Sequence, residues 1–182
     1  MISWSNDVYQ IRLAKLADVK ALVKLEKQNA YDELGDNHGN SLNADVFTEK
    51  ELTELVKSHW LVVAFKKTEI IGYMIAAKWS FFKGIPIYSK MLRKLSEQGI
   101  SDKNSCQYGP VWVDKRYRGK GVFVALFDFL LQTIKHQFAF MVTFISEKNE
   151  LSFAAHTKKA KMEIIDYFDF EGRDYYLLKK GL

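Results

Sequence analysis

The stretch YGPVWVDKRYRGKGVF, residues 108–123, decides the fold. A strand-like run, CQYGPVWV at 106–113, enters the polar, basic turn DKRYRGKG. It leaves through VFVALFDFLLQTIKH at 122–136, where Val122, Leu126, Phe129, Leu130 and Ile134 mark one broad buried helix face. The first N–H groups of such a helix have no intrahelical acceptor. Gly119 and Gly121 permit close backbone approach, the helix dipole favours negative charge, and Lys115, Arg116, Arg118 and Lys120 add positive potential. The turn therefore reads as an anion site. Neither common nucleotide loop fits: G-x-x-x-x-G-K-[ST] is not present, and Val124 stands where G-x-G-x-x-G wants its third glycine.

Working outward, the breakers are scarce. Ten glycines and two prolines serve the whole chain, yet Gly109, Pro110, Gly119 and Gly121 fall inside this one stretch. Upstream, residues 8–13 roughly alternate as a strand, and Val19, Leu22, Val23 and Leu25 take helical spacing. Residues 29–45 hold Asp32, Glu33, Asp36 and Asp45 with no Lys or Arg and read as acidic and partly irregular. Thr48 and Glu51 form a possible capping box. WLVVAF at 60–65 and IIGYMIAAKW at 70–79 read as a hairpin, and residues 81–100 as a loop plus a short helix. Downstream, FAFMVTFI at 138–145 is apolar enough to be a strand covered on both faces. A helix at 149–159 and strands at 164–170 and 173–178 complete the pattern. One α/β (α+β) sandwich around a mixed sheet follows, a single domain over residues 1–182.

Composition narrows the classes. With 48 % hydrophobic, 27 % charged and 14 % aromatic residues in 182, the chain is neither low-complexity nor collagenous. No uncharged apolar run approaches the roughly 18 residues of a membrane span, and MISWSNDVYQ lacks the apolar core of a signal peptide. A cytoplasmic protein without membrane contact is expected. Cys106 stands alone, which excludes an intrachain disulfide and a cysteine-cluster zinc site. His38, His59 and His136 show no ligand spacing, so no metal is expected. The formal charge of +5 raises nucleic acid as a partner, but no ribonucleoprotein-type aromatic pattern, zinc-finger spacing or helix-turn-helix supports it, and none is expected.

The segment resembles motif A of the GNAT superfamily of acetyl-CoA-dependent N-acyltransferases, a strand ending V-x-P-x-x followed by [RQ]-x-x-G-x-[GA] at a helix start. Val113 falls on the strand-end valine, Lys115 on the usual proline, Arg118 on the basic residue and Gly121 on the glycine. Phe123 takes the last small position, a departure from the pattern. ISEKNELSFAAHTKKAKM resembles the family's motif B, with Asn149, Ser152, His156 and Lys158 at its spacing, while the closing Gly-Phe is replaced by Ala160, Lys161 and Met162. The order of elements matches the family along nearly the whole chain.

That resemblance implies a GNAT acyl-CoA N-acyltransferase fold: a mixed, mostly antiparallel sheet of six to seven strands, about four helices, and splayed strands at the cofactor site. It implies acetyl-CoA as co-substrate. The backbones of Val111, Trp112 and Val113 would face pantetheine and thioester, and Arg118, Gly119, Lys120, Gly121, Val122 and Phe123 would cradle the diphosphate, with Asn149 and Ser152 also at the cofactor. It implies direct attack of a primary amine on the thioester, the acceptor being a small cationic metabolite or a peptide or protein amine. An alkylamine is only about 0.04 % neutral at pH 7, so a proton must be removed. His156, standing where many members carry a tyrosine, is the candidate general acid, and Tyr108 is a second candidate. The acceptor groove is expected from residues 31–43 and 81–105, and the aromatics Trp79, Phe81, Phe82 and Tyr88 line either a pocket or the core. The alternative is a non-catalytic acyl-CoA sensor of the same fold. The chain is expected as a monomer or homodimer.

Overall fold

Apolar period decides each element, and capping chemistry decides where helices begin. The computed structural model describes residues 3–5, 9–34 and 46–182. Among them run strands β1 (Ser3–Ser5), β2 (Gln10–Leu13), β3 (Trp60–Lys66), β4 (Glu69–Ala77), β5 (Ser105–Val113), β6 (Phe140–Ser146), β7 (Glu163–Phe170) and β8 (Arg173–Gly181). Helices α1 (Val19–Leu34), α2 (Glu49–Ser58), α3 (Pro86–Glu97), α4 (Val122–Ile134) and α5 (Glu150–Ala154) alternate with them. The Thr48 side chain accepts from Glu51 N–H and Glu51 accepts from Thr48 N–H, so the capping box starts α2. Pro86 opens α3 at its first turn, where a missing N–H costs nothing.

The strands form one eight-stranded sheet in the order β1-β2-β3-β4-β5-β6-β8-β7. Every neighbouring pair is antiparallel except β5 and β6. The strand beyond the expected six to seven is β1, whose three residues, SWS, are too few to establish a period. The run read as a strand to residue 79 stops at Ala77. Trp79 instead turns into a short 3-10 helix, buried, with its indole N–H donating to Ser105 Oγ at 3.0 Å.

Helices cover both faces. On one, α4 sets Val122, Leu126, Phe127, Phe129, Leu130 and Ile134 among Val62, Met74, Cys106 and Tyr108 of the strands. Gly72 lets it come close, since a Cβ there would meet Leu126 Cδ1 and the Trp112 carbonyl at 3.1 Å. On the other face, α1 and α2 cover β3 and β4 through Val19, Leu22, Leu52 and Leu55, while α3 covers β6 and β8 through Ile87, Met91 and Leu95. Phe82 is buried, Phe81 and Tyr88 are partly buried, and the rings pack on one another and on Phe47, His59 and Phe144. Of the two roles considered for these aromatics, the structure gives them the core.

Candidate active site

The fork in the sheet is the site's foundation. Parallel pairing of β5 with β6 joins Ser105, Cys106 and Gln107 to Phe140, Met141 and Val142, and then stops. From Thr143 onward β6 stays with β8, while β5 stays with β4. The β5 backbone from Tyr108 to Val113, Val111, Trp112 and Val113 included, thus presents an edge without a β6 partner. Gly109 and Pro110 sit where the strands part. Across this point β4 advances two residues, Met74 to Ala76, while β5 advances three, Val111 back to Tyr108. The extra residue is a β-bulge, and it shifts side-chain parity. Tyr108, Val111 and Val113 therefore all face α4, while Gln107 and Trp112 face α1, α2 and α3.

Beyond Val113 the chain turns onto α4. Asp114 accepts from Arg116 N–H at 2.8 Å and starts a 3-10 turn, Lys115–Tyr117. The hydrogen-bonded Arg116 guanidinium holds the Asp114 carboxyl below its ordinary value and also binds Glu69. Arg118 donates Nε–H to the Val113 carbonyl at 2.9 Å, tying the turn to the strand end. Gly119 and Gly121 have φ of +72° and +83°, which disfavours any L side chain. Gly121 is the N-cap of α4 and supplies no side-chain acceptor, so the N–H groups of Val122, Phe123 and Val124 are not capped from within the helix. Lys66, Arg116 and Lys120 place cations 5.2, 5.5 and 5.6 Å from the Tyr117 ring centre. Uncapped donors beneath this positive patch suit a diphosphate. Phe123 turns its ring inward against Phe127 and His156, which leaves only its backbone toward the loop.

The two candidate proton-handling residues meet. Tyr108 Oη lies 3.0 Å from His156 Nε2, and His156 Nδ1 lies 2.7 Å from the Ser152 carbonyl. A carbonyl only accepts, so Nδ1 carries the hydrogen and Nε2 accepts from the Tyr108 hydroxyl. Asn149 caps α5 by accepting Ser152 N–H at 3.0 Å, and the backbone widens to π spacing over Ala155–Lys159. Asn149 and Ser152 thus fix the helix that positions His156. Tyr108 and His156 are 0 % and 3 % exposed. Burial pushes the imidazole pKa below its ordinary value, against the opposing Ser152 hydrogen bond, and pushes the phenol well above its own. At rest the pair is neutral. Cys106 is buried too, its thiol pushed up to about 12 by desolvation, which leaves no thiolate for nucleophilic work.

One polar side chain at the fork escaped the sequence reading. Gln107 is 2 % exposed, and its Oε1 is, among the described residues, the buried side-chain polar atom without a hydrogen-bond partner. Its signal was a lone amide in an otherwise apolar strand covered on both faces. The acidic side chains of residues 31–43 lie outside the described residues. Among the described residues, a cavity of about 920 Å³ opens between α1, the β3–β4 turn and the end of β5, with Asp18, Lys24, Glu69, Trp112, Asp114 and Arg116 in its lining. Also among them, no group of three or more His, Cys, Asp or Glu is arranged to hold a metal ion, and no helix is long and apolar enough to cross a membrane.

A mixed sheet forked beside an uncapped helix start is the layout of an acyl-CoA N-acyltransferase. The profile of the Acetyltransferase (GNAT) family matches residues 26–159. The chain belongs to this family. No curated protein matches it. Its fold is shared with a GNAT-family acetyltransferase from Streptococcus pneumoniae (TM-score 0.69, 16 % identity, 96 % of this chain and 99 % of that one). It is shared as well with YncA from Salmonella typhimurium, solved with its cofactor acetyl-CoA (TM-score 0.66, 16 % identity, 96 % and 94 % covered). A ribosomal-protein-alanine N-acetyltransferase from Brucella melitensis has the same fold (TM-score 0.64, 18 % identity, 94 % and 99 % covered).

Proposed function

We propose that the chain transfers the acetyl group of acetyl-CoA to a primary amine by direct attack. The observation that carries this is the convergence of the β5–β6 fork, the uncapped start of α4 and the Tyr108–His156 pair on one face of the sheet. The backbone of Gly119, Lys120, Gly121, Val122 and Phe123, with the Arg118 charge, would hold the diphosphate. The free β5 edge at Val111, Trp112 and Val113 would hold the pantetheine and donate to the developing oxyanion. Binding this co-substrate needs no metal.

The proton then has a route. As the amine lone pair forms the C–N bond, nitrogen sheds one proton; Tyr108 receives it while passing its own to His156 Nε2, the free base of the pair. When the C–S bond breaks, the thiolate leaves with the electron pair and the proton returns along the same hydrogen bond to sulfur. His156 is thus the acid of the second half-step, with Tyr108 as its contact to the reacting atoms.

Thiol release from acetyl-CoA in the presence of butylamine, benzylamine, lysine amide and a short peptide with a free N-terminus tests the proposal. Acceptor-dependent thiol is expected, and His156→Ala should lower turnover more than it weakens acetyl-CoA binding. The near-complete burial of Tyr108 and His156 favours a second reading, an acyl-CoA sensor without turnover. Tight acetyl-CoA binding with no thiol release from any amine would establish it instead.

A further inference from the structure

Gln107 is the last residue of β5 to pair with β6, at the crotch of the fork. Its Nε2 donates to the Tyr108 carbonyl at 2.9 Å, which fixes the orientation of the amide and leaves Oε1 as the unpaired end. A buried acceptor with no donor carries its full desolvation cost, and replacing it with an apolar group of the same shape relieves that cost. Side-chain alternation turns Gln107 away from Cys106 and Tyr108. It therefore faces the side of α1, α2 and α3, whereas the anion loop and the Tyr108–His156 pair occupy the side of α4. Oε1 is therefore an unfilled acceptor at the crotch of the fork, on the face away from the anion loop.

We infer that Gln107 Oε1 receives one N–H of the acceptor and selects primary amines over secondary amines and hydroxyls; this rests on the acetyl transfer proposed above. The amide is uncharged and takes no proton. A primary amine brings two N–H groups and a lone pair. One N–H held on Oε1 aims the lone pair at the thioester carbon, the other proton is shed as the C–N bond forms, and the thiolate leaves with its electron pair and collects that proton. The product amide keeps one N–H, so the bond to Oε1 persists from amine to product. A secondary amine or an alcohol has a single hydrogen to lose. Its product would set an atom without hydrogen against an unpaired buried carbonyl oxygen, and the transition state feels that loss.

The experiment takes the best amine from the panel above, with its N-methyl and hydroxyl counterparts, and measures kcat/KM with acetyl-CoA for the wild-type chain, Gln107→Leu and Gln107→Met. Acetyl-CoA affinity certifies that each variant is folded, and the second variant covers misfolding of the first. The wild-type chain should prefer the primary amine at least tenfold. Both variants should bind acetyl-CoA as before and lose that preference, through a tenfold or larger drop confined to the primary amine. Variants that keep the wild-type ratio overturn the role of Gln107 and leave acetyl transfer standing. A wild-type chain that acetylates nothing overturns acetyl transfer, and the role of Gln107 falls with it.

Discussion

Removing the Tyr108 hydroxyl leaves His156 Nε2 facing a hydrophobic wall of Phe123 and Phe127. Tyr108→Phe should lower unfolding stability by about 1–2 kcal/mol, the cost of a buried acceptor left without its donor. Urea denaturation measures it, and an unchanged midpoint would mean that the hydrogen bond contributes nothing. The same pair sets a pH dependence. An unfolded imidazole titrates near 6.5, and burial lowers the folded values of both His156 and His59. Below the ordinary value the unfolded chain takes up protons that the folded chain refuses. Their contribution is thus fully present above about pH 6.5 and is lost as pH falls toward the folded values. Urea midpoints at pH 8, 6.5 and 5.5 should fall for the wild-type chain and fall less steeply for His156→Gln. At this scale the sequence carried the identities of Tyr108 and His156 through the motif spacing. It did not carry their contact, because residues 48 apart meet only once the bulge at Gly109 and Pro110 has set the parity of β5.

Elements were legible where one local rule dominates. The capping box of α2 and the two-glycine entrance to α4 each announce a boundary in a few residues, and each boundary falls where those residues put it. The short strand β1 and the cavity beside Trp112 were not legible, since three residues hold no period and the cavity gathers α1, the β3–β4 turn and the end of β5 from distant parts of the chain. Gly121 offers a test at this scale. A Cβ there has room, its nearest neighbour being Tyr9 Oη at 3.7 Å, so conformation rather than crowding resists substitution. Gly121→Val should cost about 1–2 kcal/mol of backbone strain or push the loop out of shape. Either outcome should weaken acetyl-CoA binding at least tenfold by calorimetry, whereas Lys120→Ala should weaken it less and mainly at low salt.

Over the whole molecule, one sheet carries both halves of the site, so a ligand that joins them stabilises everything. At about 100 times its dissociation constant acetyl-CoA should add about 2.7 kcal/mol, which in a domain of this size raises Tm by about 5–10 °C. Thermal scans with and without the co-substrate check this, and no shift would argue against the anion loop. The net charge of +5 said little about partners, because its effective part is local, around Tyr117.

The strand order ends β6-β8-β7, with β8 wedged between two strands that precede it in the chain. That wedge imposes a timetable. A chain emerging in order can settle β3 and β4 at once through a two-residue turn, but β6 must wait, with an unmatched edge, for residues 173–181. Phe140 finds its partner only when Gly181 arrives. Pairings this distant in sequence form slowly, and bare edges invite pairing with other chains. The last-made strand is therefore the gate through which the nascent protein passes from a sticky half-sheet to a finished one.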